Sequence, residues 1–258
     1  MSHDDRHVLT EQRGAILRVA LNRPDKKNAL THAMYTALAD AVERVENEPG
    51  LRVLFITGTA DCFTSGNDLV DFMQNPPTDG ESPVMRLLTM LHLAKKPIIA
   101  AVNGAAVGIG TTLLLHVDLA YAGKSARFQM PFVSLGLCPE AGSSLLLPWL
   151  IGHRKAAQLL LLGEAFGADD ARDYGIVNAV FDDADYQQKA WAKAEQLAAQ
   201  PAASVRLTKA QMKAAFPQLA QGMAREGVEF LERLKSPEAM EAIGAFLQKR
   251  KPDFSQFS

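Results

Sequence analysis

Cysteine is scarce in this chain. Only Cys62 and Cys138 occur in 258 residues, which excludes a disulfide framework, and no CxxC or His/Cys cluster suggests structural zinc, so no metal site is expected. An excess of charge of one sign is also missing, because 27 basic side chains stand against 29 acidic ones. Nucleic-acid binders carry a basic surplus or stripe, so that partner is not expected. The segment Met1–His7 has no apolar run behind it and Ser255–Ser258 is not a peroxisomal address, so the expected setting is cytoplasmic and reducing. The longest uncharged run, Pro97–Val117, has the length of a membrane span. Pro97, Asn103, Gly104, Gly108 and Gly110 would interrupt such a helix, so a buried strand, a glycine turn and a buried helix are predicted instead, and no membrane.

What the chain has is apolar content: 48% of its residues are hydrophobic, enough for a full-sized core. Gly14–Leu21 reads as a strand, and Thr31 can cap a helix whose apolar positions Met34, Leu38, Ala41, Val42 and Val45 recur at helical spacing. Arg52–Thr57, Pro97–Val102 and Asp118–Ala122 read as further short strands, and Gln74–Pro83, with three prolines, as a loop. From Tyr186 the pattern is helical over 186–199, 201–215, 219–234 and 237–248. An α/β body over residues 1–200 followed by a helical region over 201–258 is the expectation, the latter packing on the body or on a neighbouring subunit.

The turn Asn103–Gly110 follows a strand and precedes an apolar helix predicted at Thr111–His116. Its GxxxGxG spacing would suit a nucleotide-binding dehydrogenase, but about 100 residues precede it, and the available Tyr and Lys pairs, Tyr121/Lys124 and Tyr186/Lys189, are three apart where such enzymes need four. The same turn has another use. Backbone N–H groups opening a helix are unpaired and lie at its positive end, and small residues let a ligand oxygen approach, so the turn is a candidate oxyanion hole. Close strand-to-helix packing is the alternative. Ser65-Gly66-Asn67, before a helix start at Asp68, repeats the arrangement after another strand. Two such turns could each offer one N–H to the same carbonyl oxygen.

The segments Leu21–Leu30, Phe63–Leu69, Lys96–Gly110 and Asp118–Ala122 together resemble the crotonase (enoyl-CoA hydratase/isomerase) superfamily, in order along the chain. The resemblance implies a crotonase-like spiral of ββα units, a C-terminal helical region used for trimerisation in a homotrimer or hexamer, and an acyl-CoA thioester substrate, coenzyme A being part of that substrate and no other cofactor being required. By position it puts the oxyanion donors on the backbone N–H of Asn67 and Ile109, with Ser65, Gly66, Leu69 and Gly108 beside them. Enoyl-CoA hydratases resemble one another in two glutamates whose positions here hold Thr112 and Phe132. Without those carboxylates to activate water and deliver a proton, hydration is not expected.

A carboxylate follows slightly later. Met130–Ser144 is similar to Δ3,Δ2-enoyl-CoA isomerases of the peroxisomal type, and the resemblance makes Glu140 the catalytic base and acid for moving the double bond of 3-enoyl-CoA to trans-2-enoyl-CoA in fatty acid β-oxidation. The plain alternative is charge complementing the start of a helix at Ser143–Leu150. Phe132, Leu135, Leu137 and Leu145, if they face the site, would raise the Glu140 pKa by desolvation. Lys26 and Lys27 are either solvated or contacts to CoA phosphates, and Phe246 and Lys249 are candidates to reach a neighbouring subunit's CoA. Asp68 and Asp71 most simply start a helix, although a mobile acid near the acyl chain is an alternative. His92, His116 and His153 fit structural roles, and Cys138 fits packing. Hydration, isomerisation of a ring-containing acyl-CoA, and a non-catalytic binding role remain as alternatives.

Overall fold

The computed structural model describes residues 7–59, 61–75 and 82–257. In chain order the strands are β1 (Val8–Arg13), β2 (Ile16–Leu21), β3 (Val53–Gly58), β4 (Ile98–Val102), β5 (Ala105–Val107), β6 (Leu119–Gly123), β7 (Arg127–Gln129), β8 (Phe166–Gly167) and β9 (Ala179–Phe181). The helices are α1 (His32–Asn47), α2 (Leu69–Gln74), α3 (Pro83–Leu93), α4 (Ile109–Thr112), α5 (Ser143–Ile151), α6 (His153–Leu162), α7 (Ala168–Asp173), α8 (Tyr186–Ala198), α9 (Ala202–Lys213), α10 (Leu219–Leu234) and α11 (Pro237–Leu247).

Period-2 alternation explains the main sheet, whose order is β1-β2-β3-β4-β6-β9. In β3 every residue is buried: Val53 and Phe55 pack with Tyr186, Ala190 and Ala194 of α8, while Leu54 and Ile56 join the larger core on the opposite face. A parallel strand covered on both faces reads as a continuous apolar run, which is how β3 and β4 stand out in the sequence. The strand predicted at Gly14–Leu21 is one arm of a hairpin. Gly14 turns the chain, and β1 pairs antiparallel with β2 from Val8↔Leu21 to Arg13↔Ile16. The exposed residues of β1 carry no apolar alternation, so the pattern did not mark it.

After each inner strand the chain steps into a second, smaller layer. Thr64 pairs with Ala106, β5 runs parallel to β7, and β7 pairs with β8. Strand, short strand and helix thus recur as a spiral, and the recurrence brings the turns after β3 and β4 side by side. The helix predicted at Thr111–His116 starts two residues earlier, at Ile109, and tightens into a 3₁₀ turn at Leu113–His116.

The helices after residue 200 are fastened to the body. Lys209, 3% exposed, donates to Asp118 Oδ2 at 2.6 Å and to the Lys96 carbonyl at 2.9 Å. Lys213 donates to the carbonyls of His92 at 2.5 Å and Ala94 at 2.8 Å, closing the C-terminal end of α3, and burial pushes its ammonium down to about 8. Beyond it, α11 packs on the turn Val133–Leu135. Among the described residues no helix is long and apolar enough to cross a membrane.

Candidate active site

A cavity of about 1230 Å³ opens between the two glycine turns, α3 and the last two helices. One wall is backbone. The bridge Leu30↔Asn67 uses the Gly66 carbonyl and the Asp68 N–H, so the N–H of Asn67 itself points the other way and has no protein acceptor among the described residues. Ile109 N–H, the first amide of α4, is likewise unpaired, as helix geometry requires of a first-turn donor. Gly66 has φ +91, and a Cβ there would lie 2.9 Å from the Val107 carbonyl oxygen, so only glycine lets the turns approach this closely. Asn28 fastens the first turn: its side chain donates to the Cys62 carbonyl at 2.7 Å and its carbonyl accepts from Thr64 Oγ1 at 2.7 Å. The Tyr35 hydroxyl, buried in α1, donates to Asn67 Oδ1. Burial first and the Glu140 charge second hold that phenol well above its ordinary range, so it stays neutral.

The other wall carries a carboxylate. Glu140 lies in the segment between β7 and α5, and Thr112 Oγ1 donates to its Oε1, leaving Oε2 without a protein partner among the described residues. Burial pushes the Glu140 carboxyl up to about 7; the Thr112 hydrogen bond opposes the shift and the charge of Glu226 adds to it. The carboxyl therefore sits out of bulk water yet keeps access to the cavity. Phe132, Leu135 and Leu137 line that cavity with it, whereas Leu145 packs over Gly222 instead. The next residue, Ala141, is left-handed at φ 59, and its carbonyl accepts from His116 Nε2 at 2.6 Å. Since a carbonyl can only accept, Nε2 carries the proton, and burial holds His116 down to about 4, hence neutral.

Residues 11–257 match the enoyl-CoA hydratase/isomerase family. The chain belongs to that family. Its relatives include 1,2-epoxyphenylacetyl-CoA isomerase of Escherichia coli, 34% identical over 96% of this chain and 98% of the relative. Human enoyl-CoA delta isomerase 2 is 32% identical over 94% of this chain, which spans 63% of that relative's length. A crystal structure of an enoyl-CoA hydratase/isomerase from Pseudoalteromonas atlantica superposes with a TM-score of 0.92 at 40% identity, covering 96% of this chain and 99% of that one. The fold is therefore the crotonase fold, as the family resemblance implied.

In this family member the predicted residues fall into two groups. Asn67, Ile109, Glu140, Lys26, Ser65, Gly66, Asp68, Leu69, Gly108, Phe132 and Phe246 line the one cavity. Lys27 and Lys249 do not. Lys27 is exposed and left-handed at φ 50, and its contribution is a carbonyl that accepts from Ser65 N at 3.0 Å. Lys249 is exposed beyond the end of α11, at φ 55. The Asp68 carboxylate lines the cavity without being free. Burial alone would raise it, but Arg23 at 2.6 Å and the Asp71 and Val70 amides that it caps hold it below its ordinary value. Asp71 accepts from both the backbone N and Nδ1 of His32, so the helix-start reading fits both acids. Of the loop predicted at Gln74–Pro83, residues 76–81 lie outside the described residues, while Val84, Met85 and Leu88 of the following α3 line the cavity.

Tyr35, Thr112 and Glu226 were not marked as site residues by the sequence pattern. Tyr35 follows Met34 in an apolar stripe and looked like core. Glu226 could have been found, since it stands on the same stripe of α10 as Leu219, Met223 and Phe230, where an acid is out of place. His116, read as structural, is structural at the residue next to Glu140.

Proposed function

We propose that this chain is a Δ3,Δ2-enoyl-CoA isomerase that converts 3-enoyl-CoA to trans-2-enoyl-CoA. The observation that carries the reading is a half-buried carboxylate, one of its oxygens without a protein partner among the described residues, facing a cavity whose opposite wall offers two unpaired amides, with Thr112 and Phe132 where hydratases have glutamates. Ionised Glu140 takes a proton from C2, and the C2–H electron pair delocalises into a dienolate with its charge largely on the thioester oxygen. The amides of Asn67 and Ile109 stabilise that oxygen, each donor being worth about 3–4 kcal/mol in comparable sites. Protonated Glu140 then delivers the proton to C4, leaving the double bond between C2 and C3 and the base ionised again. No water, electron or further cofactor enters the balance. A carboxyl whose pKa is about 7 suits both halves, because it is a better base than an ordinary glutamate and still gives the proton back.

Lys26 at the cavity is the candidate contact for CoA phosphates. Exposed apolar side chains such as Trp149, Leu161, Leu207 and Met212 support assembly into a homotrimer or hexamer. A ring-containing acyl group is the second reading. Phe230 meets Phe72 and Phe132 edge-on, both with ring centroids 6.5 Å apart, within a cavity that all three line, and one relative bears the name of a phenylacetyl-CoA derivative.

The deciding experiment compares double-bond migration in 3-enoyl-CoA, migration in an aryl-bearing analogue, and hydration of 2-enoyl-CoA, for wild type and Glu140→Ala. Migration lowered by at least ~10³-fold in the variant, with CoA-ester binding retained, is the expected result. Unchanged migration would sink the assignment.

A further inference from the structure

The turn after Glu140 is held largely from elsewhere in the chain. Ala141 is left-handed at φ 59 although it has a Cβ, and Gly142 follows at φ 72. A non-glycine residue in that region is strained by about 1–2 kcal/mol and persists only where its surroundings over-determine it. Here they do. His116 Nε2 donates to the Ala141 carbonyl at 2.6 Å, and Ser143 Oγ donates to the Glu140 carbonyl at 2.6 Å. Opposite them lies the Glu226 carboxylate of α10, 3% exposed, which accepts from Gly142 N at 2.5 Å, from Ser144 N at 3.0 Å and from Ser144 Oγ.

A carboxylate buried that deeply is strongly disfavoured without partners. Three donors at the start of α5, where the helix is positive, compensate it, and they are the donors of the very turn that bears Glu140. A side chain that merely filled the stripe between Met223 and Phe230 would be apolar.

We infer that Glu226 is a positioning residue of the active site, clamping the left-handed turn Ala141–Gly142 and so fixing where the Glu140 carboxylate points. The inference rests on Glu140 being the base. The clamp reaches across the chain, since it ties a catalytic turn of the α/β body to the C-terminal helices. It also sets two like charges near one another. The titratable groups around the turn are Tyr35 from α1, His116 after α4 with His92, Lys209 and Lys213 near it, Cys138 earlier in the same segment, and Glu229 and Arg233 further along α10. Tyr35 and His116 are neutral near pH 7; burial is the main reason Glu140 ionises late, and the Glu226 charge adds to it in the same direction.

The test uses the full chain. Glu226→Gln keeps the shape but removes the charge and one acceptor. kcat is expected to fall by about 10²-fold, with KM within about threefold, as for a group displaced by a fraction of an ångström to 1 Å. Its pH profile is expected to lose activity at a lower pH than wild type does. Infrared titration of the Glu140 carboxyl, assigned by difference with Glu140→Gln, should move in the same direction without any turnover being measured. A folded Glu226→Gln protein with wild-type kcat and an unmoved Glu140 titration overturns the inference. A titration that moves while turnover stays constant supports the clamp and overturns Glu140 as base, which keeps the two failures apart. Should Glu226→Gln not fold, Ser144→Ala removes one donor alone: a several-fold fall in kcat at constant KM supports the clamp, and wild-type kinetics overturn it.

Discussion

The two walls of the cavity are built on opposite plans. The wall of the proposed oxyanion donors is made of backbone: Asn67 and Ile109 contribute N–H groups that any residue but proline would supply, and their places are fixed by bridges between neighbouring turns. The wall of the proposed base is made of side chains, with Glu140 held by Thr112, its turn by His116, and the far side of that turn by Glu226 from α10. Backbone donors are set by local chain path. A side-chain base is set by whatever the rest of the fold brings to it, so its strength and direction can be tuned from far along the sequence.

The comparison can be broken from either wall. Among changes that leave Glu140 in place, Gly66→Ala should have the largest effect, because the left-handed φ of +91 and the 2.9 Å approach to the Val107 carbonyl leave no room for a methyl group. Displacing the Asn67 N–H is expected to lower kcat by about 10²–10³-fold with little change in the pH profile, checked by steady-state kinetics across pH. Thr112→Val acts on the other wall. It removes a hydrogen bond that favours ionised Glu140, so the pH below which activity is lost should rise, and kcat/KM near pH 7 should fall by roughly tenfold, the scale of 1–2 kcal/mol. An effect on rate alone from Thr112→Val, with an unmoved profile, would erase the distinction between the walls.

Stability sharpens the contrast further. Glu140 has its pKa raised from 4.5 to about 7, so the native state holds a proton that the unfolded chain has released between those values, and this contribution is lost as pH rises through about 7. His116 has the opposite sign. It is lowered from 6.5 to about 4, and its contribution is lost as pH falls through that window. Glu140→Gln is therefore expected to stabilise the protein at pH 8 by up to roughly 3 kcal/mol, and not at pH 4, measured by denaturant unfolding at both pH values. The smallest effect belongs to Ala141→Gly, which relieves the left-handed strain by about 1 kcal/mol while adding freedom to the turn; a small rise in stability with a small fall in kcat is the expected outcome.

This division also explains what the sequence could reveal. Gly66, Gly108 and the strands before them leave a local signature, because a tight backbone approach demands glycine and a doubly covered strand demands an apolar run. The two glycine turns and the helices from Tyr186 onward were therefore readable within a residue or two. Glu140 was reachable only through family resemblance, since nothing near it in the chain distinguishes a base from a helix-start acid. Its partners were less legible still: Glu226 is 84 residues from Gly142, and Thr112 looked significant only for the carboxylate it lacks. Lys27 and Lys249 lie outside this chain's cavity, and charge in a loop says nothing about which way the loop faces. The hairpin arm β1 went unread because its outward residues carry no pattern.

Buried Lys209 and half-buried Lys213 make α9 a tether. Lys209 and Lys213 fasten that helix to the body, and only residues 214–218 separate its end from the start of α10. A leash that short confines α10 to a small volume above the catalytic turn, so Glu226 meets its donors at high effective concentration without a long search. Loosening the leash at Lys213 would dilute that encounter while leaving every group of the active site chemically intact.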